Sequence, residues 1–94
     1  MRVVWSQRAI AQLEALRDHI ATDSETSAAK VAPRILTAIE LLETSPEIGR
    51  PGRIPGTREL VVSGTPFIVP YRVRQGRLEL IAVFHGRQKW PGMP

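Results

Sequence analysis

Residues 58–84 read RELVVSGTPFIVPYRVRQGRLELIAVF, and this stretch decides the fold. Three runs rich in β-branched and aromatic residues, 58–62, 67–73 and 77–84, are separated by the turn signals Ser-Gly-Thr-Pro and Arg-Gln-Gly. Short apolar or alternating runs joined in this way predict an antiparallel meander. Pro70 lies inside the second run and cannot donate a backbone hydrogen bond, so we expect a bulge or a locally unpaired position there.

The first helix is predicted after a short N-terminal strand over residues 2–5. Ser6 follows that strand, and serine commonly caps a helix N-terminus. Apolar residues then recur at three- and four-residue steps, which is the spacing of one helix face. These residues are Ile10, Leu13, Leu16 and Ile20. The pattern predicts a helix over about 7–22.

A second helix is predicted to end before Pro46, because the residue preceding a proline is pushed out of the α region. Its apolar face contains Val31, Ile35, Ala38, Ile39 and Leu42, broadened by Leu36 and Leu41. Pro33 disturbs the first turns, so the helix begins near Ala32, or begins near Ser27 and kinks. Residues 46–57 contain three prolines and three glycines and are predicted to form an ordered loop.

The order strand, helix, helix, loop and three strands predicts an α+β fold. Two N-terminal helices packed on one face of a mainly antiparallel sheet would bury both apolar stripes in one core. The short N-terminal strand and the C-terminal three-stranded meander would form that sheet. The 94 residues are predicted to form a single domain, 1–94, since chains usually divide only well above this length. The opposite sheet face is left for function or for a partner.

The positive charge is concentrated in the second half of the chain. Residues 1–48 contain five Lys or Arg against seven Asp or Glu, whereas residues 49–94 contain eight against two, and seven of those eight are Arg. Arginine forms bidentate pairs with phosphate and carboxylate, where lysine acts as a point charge. This concentration of positive charge indicates that the second half binds a polyanion or an acidic protein surface. The alternative is a basic face that is solvated and binds no partner.

Several classes of site are excluded or disfavoured by composition. The chain has no cysteine and only two histidines, so neither a disulfide framework nor a thiolate metal site can form, and we predict no metal and no cofactor. The lack of cysteine fits a reducing compartment, and we expect a cytoplasmic location. No apolar run approaches the ~20 residues of a membrane helix, and the N-terminus lacks the apolar core of a signal peptide, so no membrane contact is expected.

The candidate chemistry lies at the end of the last predicted strand. His85 follows the apolar run 80–84, and Arg87 points the same way if the strand continues. Together with Arg58 these residues could serve a metal-free ribonuclease, with His85 as general acid or base and the arginines stabilising the charged transition state. A capping or core-edge role for His85 is an equal alternative.

The aromatic residues and the other histidine favour structural roles. Trp90 could stack on a base, although a tryptophan beside proline more often covers the edge of a core. We expect Tyr71 to be half-buried in the meander. His19, on the first helix, is interpreted as structural.

The order of several segments resembles one protein family. These segments are Trp5-Ser6 with the first helix, Ser45-Pro46-Glu47-Ile48-Gly49-Arg50, Arg58-Glu59-Leu60, Tyr71-Arg72-Val73 and Val83-Phe84-His85-Gly86-Arg87. Over nearly the whole chain they resemble the RelE/ParE superfamily of bacterial toxins. The resemblance implies a RelE/ParE-like fold and the growth-arresting toxin of a type II toxin-antitoxin module. It also implies a heteromeric complex with a cognate antitoxin whose acidic C-terminal segment binds the toxin directly.

The superfamily has two targets, and the resemblance slightly favours one of them. RelE-like members cleave mRNA in the ribosome without metal, whereas ParE-like members inhibit DNA gyrase. His85, Arg58 and Arg87 suit the nuclease, but the lysines that often line the RelE site are missing from the loop, and the run 71–85 looks closer to ParE-like chains. We therefore favour DNA gyrase, with the ribosome and its mRNA as the alternative and a degenerate, non-toxic binding module as a third. The residues expected to bind the target or the antitoxin are Arg50, Arg53, Arg58, Arg72, Arg87 and Trp90.

Overall fold

This computed structural model describes residues 1–23 and 25–88, the side chains from 19 to 29 excepted. The elements are β1 (Arg2–Trp5), α1 (Gln7–Asp23), α2 (Glu25–Thr44), β2 (Arg50–Pro51), β3 (Arg58–Val61), β4 (Phe67–Arg74), β5 (Arg77–Leu80) and β6 (Phe84–His85). The predicted order of strand, two helices and meander is confirmed, and β2 is an addition within the predicted loop. Neither described helix is long and apolar enough to cross a membrane.

One sheet carries all six strands, in the order β1-β5-β4-β3-β2, with β6 continuing along β4 beyond β5. β1 is parallel to β5, and every other described pairing is antiparallel. Side chains from both helices and from one sheet face form the main core. Its fully buried members include Ala9, Ile35, Leu42, Val69, Tyr71 and Leu78. The predicted α+β fold, with two helices on one face of a mainly antiparallel sheet, is confirmed.

The helix faces differ in detail from the sequence pattern. α1 buries Ala9, Leu13 and Leu16. The buried face therefore begins at the small residue Ala9, whereas Ile10, which was predicted to lie on it, is 44% exposed. Leu41, expected to broaden the α2 face, is 56% exposed. α2 begins at Glu25, so the earlier of the two predicted starts is correct, and Pro33 lies inside the helix at an exposed position. A proline with its ring toward solvent is tolerated because the packed face of the helix keeps its contacts.

The single strand predicted over 77–84 is interrupted at residues 81–83, and Pro70 explains the interruption. Tyr71 pairs with Leu80 and Ile68 pairs with Phe84, so two residues of β4 face three residues, 81–83, of the opposite chain. This extra residue is a bulge. The Ile81 amide donates to the Pro70 carbonyl at 2.9 Å, but Pro70 has no N–H to return the bond. The bulge expected at Pro70 is therefore present, and it divides the strand into β5 and β6.

Ser6 supplies the hydrogen bond that Pro70 cannot. Its Oγ donates to the Ile81 carbonyl at 2.7 Å and accepts from the Ala9 amide at 3.0 Å, which makes it the N-cap of α1. One hydroxyl thus joins the bulge to the first helix.

We expect Ser6→Ala to lower the free energy of unfolding by about 1.5 kcal/mol, because the cap and the carbonyl of the bulge both lose their partner. Urea unfolding followed by circular dichroism measures this change. Ser63→Ala, at an exposed turn, is the control and should change the value by less than about 0.5 kcal/mol. Equal values for the two variants would contradict the linking role of Ser6.

Candidate functional site

The loop between α2 and β3, residues 46–57, is held against the sheet by Tyr71. The Tyr71 hydroxyl accepts from the Gly49 amide at 2.9 Å and donates to the Pro46 carbonyl at 2.7 Å. A Cβ at position 49 would lie 2.6 Å from Tyr71 Cε1, so only glycine allows this approach. Tyr71 is fully buried, and the predicted half-burial is wrong. Burial raises the pKa of Tyr71, against the smaller lowering effects of the Gly49 hydrogen bond and the Arg58 charge.

Glu59 fixes two of the predicted binding arginines from beneath the loop. Its side chain is only 2% exposed, and its Oε1 accepts from Arg50 Nε at 3.2 Å and from Arg50 Nη2 at 3.0 Å. Its Oε2 accepts from the Arg53 amide at 3.1 Å and lies 3.7 Å from Arg53 Nε. Arg50 and Arg53 remain about half-exposed, so their outer surfaces are available to a partner. We call Glu59, Arg50 and Arg53 the loop clamp.

Arg58 also acts on the loop. Its Nη1 donates to the Gly49 carbonyl at 2.8 Å and to the Glu47 carbonyl at 3.2 Å. Arg58 starts β3 and pairs with Tyr71 in the sheet, so both residues support the same turn of the loop. The guanidinium therefore holds the loop, and the transition-state role predicted for it stays a prediction.

His85 ends β6 and begins the tight turn that follows it. Its Nδ1 accepts from the Arg87 amide at 3.1 Å, its backbone amide donates to Gln88 Oε1 at 2.8 Å, and its carbonyl accepts from the Gln88 amide at 2.9 Å. The ring meets Phe67 edge to face with centroids 5.5 Å apart. The Arg87 contact requires an unprotonated Nδ1. Arg87 itself is exposed.

The structure brings His85 and Arg87 together in one turn but separates Arg58 from both. Arg58 pairs with Tyr71 and His85 pairs with Phe67, from opposite sides of β4. Four residues along a strand and two strand spacings separate their Cα atoms by about 16 Å. The guanidinium of Arg58 points to the loop carbonyls. Trp90 and the His19 side chain lie outside the described residues, and their predicted roles stay predictions.

The sheet face opposite the helices is rich in arginine. Arg72, a predicted binding residue, donates to Glu79 Oε1, and Arg74 Nη2 lies 3.5 Å from Glu79 Oε2. The Arg72 hydrogen bond lowers the pKa of Glu79 against the opposing effect of burial, and the Arg74 charge adds to the lowering. Arg2 and Arg77 lie on the same face. Arg2, Arg74 and Arg77 are absent from the predicted site, although the two-residue period from Arg72 to Arg74 could have indicated part of it.

An apolar groove of about 480 Å³ lies between α2 and β3. Leu41, Ile48 and Val61 line it, and each is about half-exposed. Clustered exposed apolar side chains are typical of surfaces that bind a protein partner, a membrane or a ligand. Sequence reasoning missed this groove, because it assigned Leu41 to the core. Among the described side chains, those of residues 1–18 and 30–88, no three acidic or histidine groups cluster as metal ligands would.

Comparison with known proteins connects this geometry to a family. A protein-family model, that of the ParE toxin of the type II toxin-antitoxin system, parDE, matches residues 3–90. The chain belongs to the ParE toxin family. The ParE-family chain is 42% identical over 90 residues to Y4kP of Sinorhizobium fredii, a candidate toxin, covering 96% of this chain and 93% of that one. It is 38% identical over 84 residues to toxin RelE2 of Caulobacter vibrioides, covering 89% and 93%.

A solved structure agrees with the family and the fold. A chain of the chromosomal ParDE toxin-antitoxin system from P. aeruginosa superposes on this ParE-family toxin with a TM-score of 0.81 at 27% identity. The match covers 90% of this chain and 95% of that one. The predicted membership of the RelE/ParE superfamily is therefore confirmed. The relatives carry both RelE and ParE names, so their names do not choose between the two targets.

Proposed function

We propose that this toxin arrests growth by binding DNA gyrase and that a cognate antitoxin silences it by direct contact. The observation that carries the proposal is the separation of His85 from Arg58. A metal-free nuclease needs an acid or base and charge-stabilising cations within hydrogen-bond reach of one phosphate. Among the described residues, Arg58 is bound to the loop and His85 is built into a turn on the far side of β4. Such an arrangement supports recognition of a protein target more than phosphodiester cleavage.

The loop clamp suits recognition of a protein. Buried Glu59 holds Arg50 and Arg53 in fixed positions while leaving about half of each arginine exposed. Fixed arginines lose little conformational entropy on binding, and arginine is enriched at the centres of protein interfaces. The loop therefore offers gyrase a rigid basic surface.

The apolar groove between α2 and β3 supports the second half of the proposal. A groove with half-exposed Leu41, Ile48 and Val61 takes apolar anchors of a helix or strand. We infer that the antitoxin covers this groove and that its acidic segment reaches the half-exposed arginines of the loop clamp. The solved relative comes from a ParDE system, which is consistent with such a partner.

Induced expression of the chain alone, with and without the antitoxin, tests the function. We expect growth arrest, accumulation of gyrase cleavage complexes and unchanged transcript ends, with growth restored by the antitoxin. His85→Asn should stay fully toxic, because the Asn Oδ1 can accept from the Arg87 amide as Nδ1 does, but it cannot exchange a proton near neutral pH.

Two outcomes would overturn the gyrase assignment. Truncated transcripts with normal supercoiling would support the ribosomal nuclease, especially if His85→Asn abolished toxicity while keeping its thermal stability. Harmless expression of a folded chain would support a binding-only module.

A further inference from the structure

Three arginines form one row across three neighbouring strands. Arg2 of β1 pairs with Arg77 of β5, and Arg77 pairs with Arg74 of β4. Partners in register project to the same face of a sheet. The next residues in these strands pair as Val3 with Leu78 and Val73 with Leu78, and Leu78 is buried in the core beneath the helices. The arginine row, Arg2, Arg77 and Arg74, therefore lies on the open face, and all three residues are exposed.

The charges of the arginine row are poorly balanced within the chain. Directly opposed residues lie about 5 Å apart, and like charges at that spacing destabilise a sheet. Glu79 offers its carboxylate to Arg72 and lies near Arg74. Neither the Arg2 nor the Arg77 side chain has a hydrogen bond or ion pair with another part of the chain that the structure describes. Among the described residues, Arg74 alone of the row has an acidic neighbour, and that carboxylate is shared with Arg72, so Arg2 and Arg77 are left uncompensated.

A tight turn fixes the spacing of the row. Gln75 and Gly76, with φ of 53° and 73°, form the two-residue connection between β4 and β5. Two successive left-handed residues match the twist of the flanking strands and place the residues before and after the turn directly opposite each other. Arg74 and Arg77 are therefore held side by side before any ligand binds.

We propose that the arginine row binds the phosphate backbone of duplex DNA. The row runs across the strands and spans about 10 Å between its outer Cα atoms, and each of its long side chains can pair with one phosphate, so the row can neutralise up to about three phosphates. Fork-shaped guanidinium groups match phosphate oxygens in pairs. No aromatic side chain lies in the row, so it offers no stacking platform for the bases of a single strand.

An acidic protein segment fits the arginine row less well. A strand added to the outer edge of β1 would run along β1 and meet Arg2 alone. A docked helix is anchored by apolar side chains, and the row contains none. The row also lies on the opposite sheet face from the core beneath α2, whereas the apolar groove lies between α2 and β3. The DNA contact is therefore separate from the antitoxin groove and holds whichever target the toxin has.

Fluorescence anisotropy with a labelled 20-base-pair duplex tests the arginine row. The full chain, separated from its antitoxin and refolded, is titrated at several salt concentrations. We expect a micromolar Kd at 50 mM salt and a log–log salt slope of about −3, because each neutralised phosphate contributes about −0.9. Arg2→Gln/Arg77→Gln should bind about tenfold more weakly and lose about two units of that slope.

The matched control is Arg17→Gln/Lys30→Gln, which removes the same two charges from exposed positions on the helices. It should change the Kd by less than about twofold. Equal weakening in both variants would reduce the effect to net charge and overturn the proposal. Absence of duplex binding would also overturn the proposal. Tighter binding of a poly-glutamate peptide that depends on the arginine row would overturn it and identify a protein contact instead.

Arg77→Gln alone, with a loss of about one unit of slope, keeps the test decisive if the double variant fails to fold. The measurement contains neither gyrase nor antitoxin, so its failure leaves the proposed function standing.

Discussion

Tyr71→Phe is expected to lower the free energy of unfolding by about 2–3 kcal/mol, although it removes a single oxygen. The ring stays in the core, but the Gly49 amide and the Pro46 carbonyl lose the hydroxyl that joins them. Each buried group without a partner costs about 1–3 kcal/mol. Domains of this kind have only about 5–15 kcal/mol in total, so the loss is a large share. Urea unfolding of the purified chain measures it.

A matched control separates burial from the mere loss of a hydroxyl. Thr44→Val removes a hydroxyl that bonds the Leu41 carbonyl at an exposed helix end, and it should change the unfolding free energy by less than about 0.5 kcal/mol. A Tyr71→Phe effect as small as this control would show that the loop does not depend on the tyrosine.

The pH dependence gives the Tyr71 prediction a second readout. Burial raises the pKa of Tyr71, so the folded chain holds the phenol proton more tightly than the unfolded chain. This contribution to stability is complete below about pH 10 and is lost as the pH rises through the folded pKa. Tyr71 is the only tyrosine, so its absorbance titration reports this group directly. We expect a higher midpoint in the folded chain than in urea, and Tyr71→Phe should lack this part of the alkaline destabilisation.

The sequence was informative about the fold because the pattern of each element agreed with its tertiary role. The meander, the cap at Ser6 and the bulge at Pro70 all follow from local rules of turns, caps and missing donors. Errors arose where packing chose among similar local options. α1 buries the stripe through Ala9 and leaves Ile10 exposed, and α2 leaves Leu41 exposed in the groove beside β3.

The candidate site was less predictable because its contacts join residues far apart in sequence. Arginine-rich composition correctly indicated a basic surface, but it could not show that Arg50 and Arg53 share one buried carboxylate. The arginine row depends on the register of β1 with β5, and a parallel pairing across 75 residues leaves no local signal. The separation of Arg58 from His85 could likewise not be predicted, because it depends on β3 and β6 pairing with opposite sides of β4.

Glu59→Gln is expected to lower the free energy of unfolding by about 2–4 kcal/mol while leaving the shape of the side chain almost unchanged. In the native chain both carboxylate oxygens accept, one from the Arg50 guanidinium and the other from the Arg53 amide. A glutamine offers one acceptor and one NH₂ donor, so one of these two donors must face another donor. Breaking a buried charged pair on one side costs about 3–5 kcal/mol, and the half-exposed arginines recover part of that by hydration.

Glu79→Gln is the matched control, since Glu79 is also held by two arginines but is 19% exposed, against 2% for Glu59. Its effect should be clearly smaller, because exposed ion pairs contribute little in water. Urea unfolding at neutral pH compares the two variants, and raised salt should weaken the Glu79 pair more than the Glu59 pair. If both variants lose the same stability, Glu59 is no stronger than a surface pair. The Glu59→Gln variant can also be tested for toxicity. If it folds in complex with the antitoxin but is not toxic once the antitoxin is removed, the loop clamp positions Arg50 and Arg53 for the target as well as stabilising the loop.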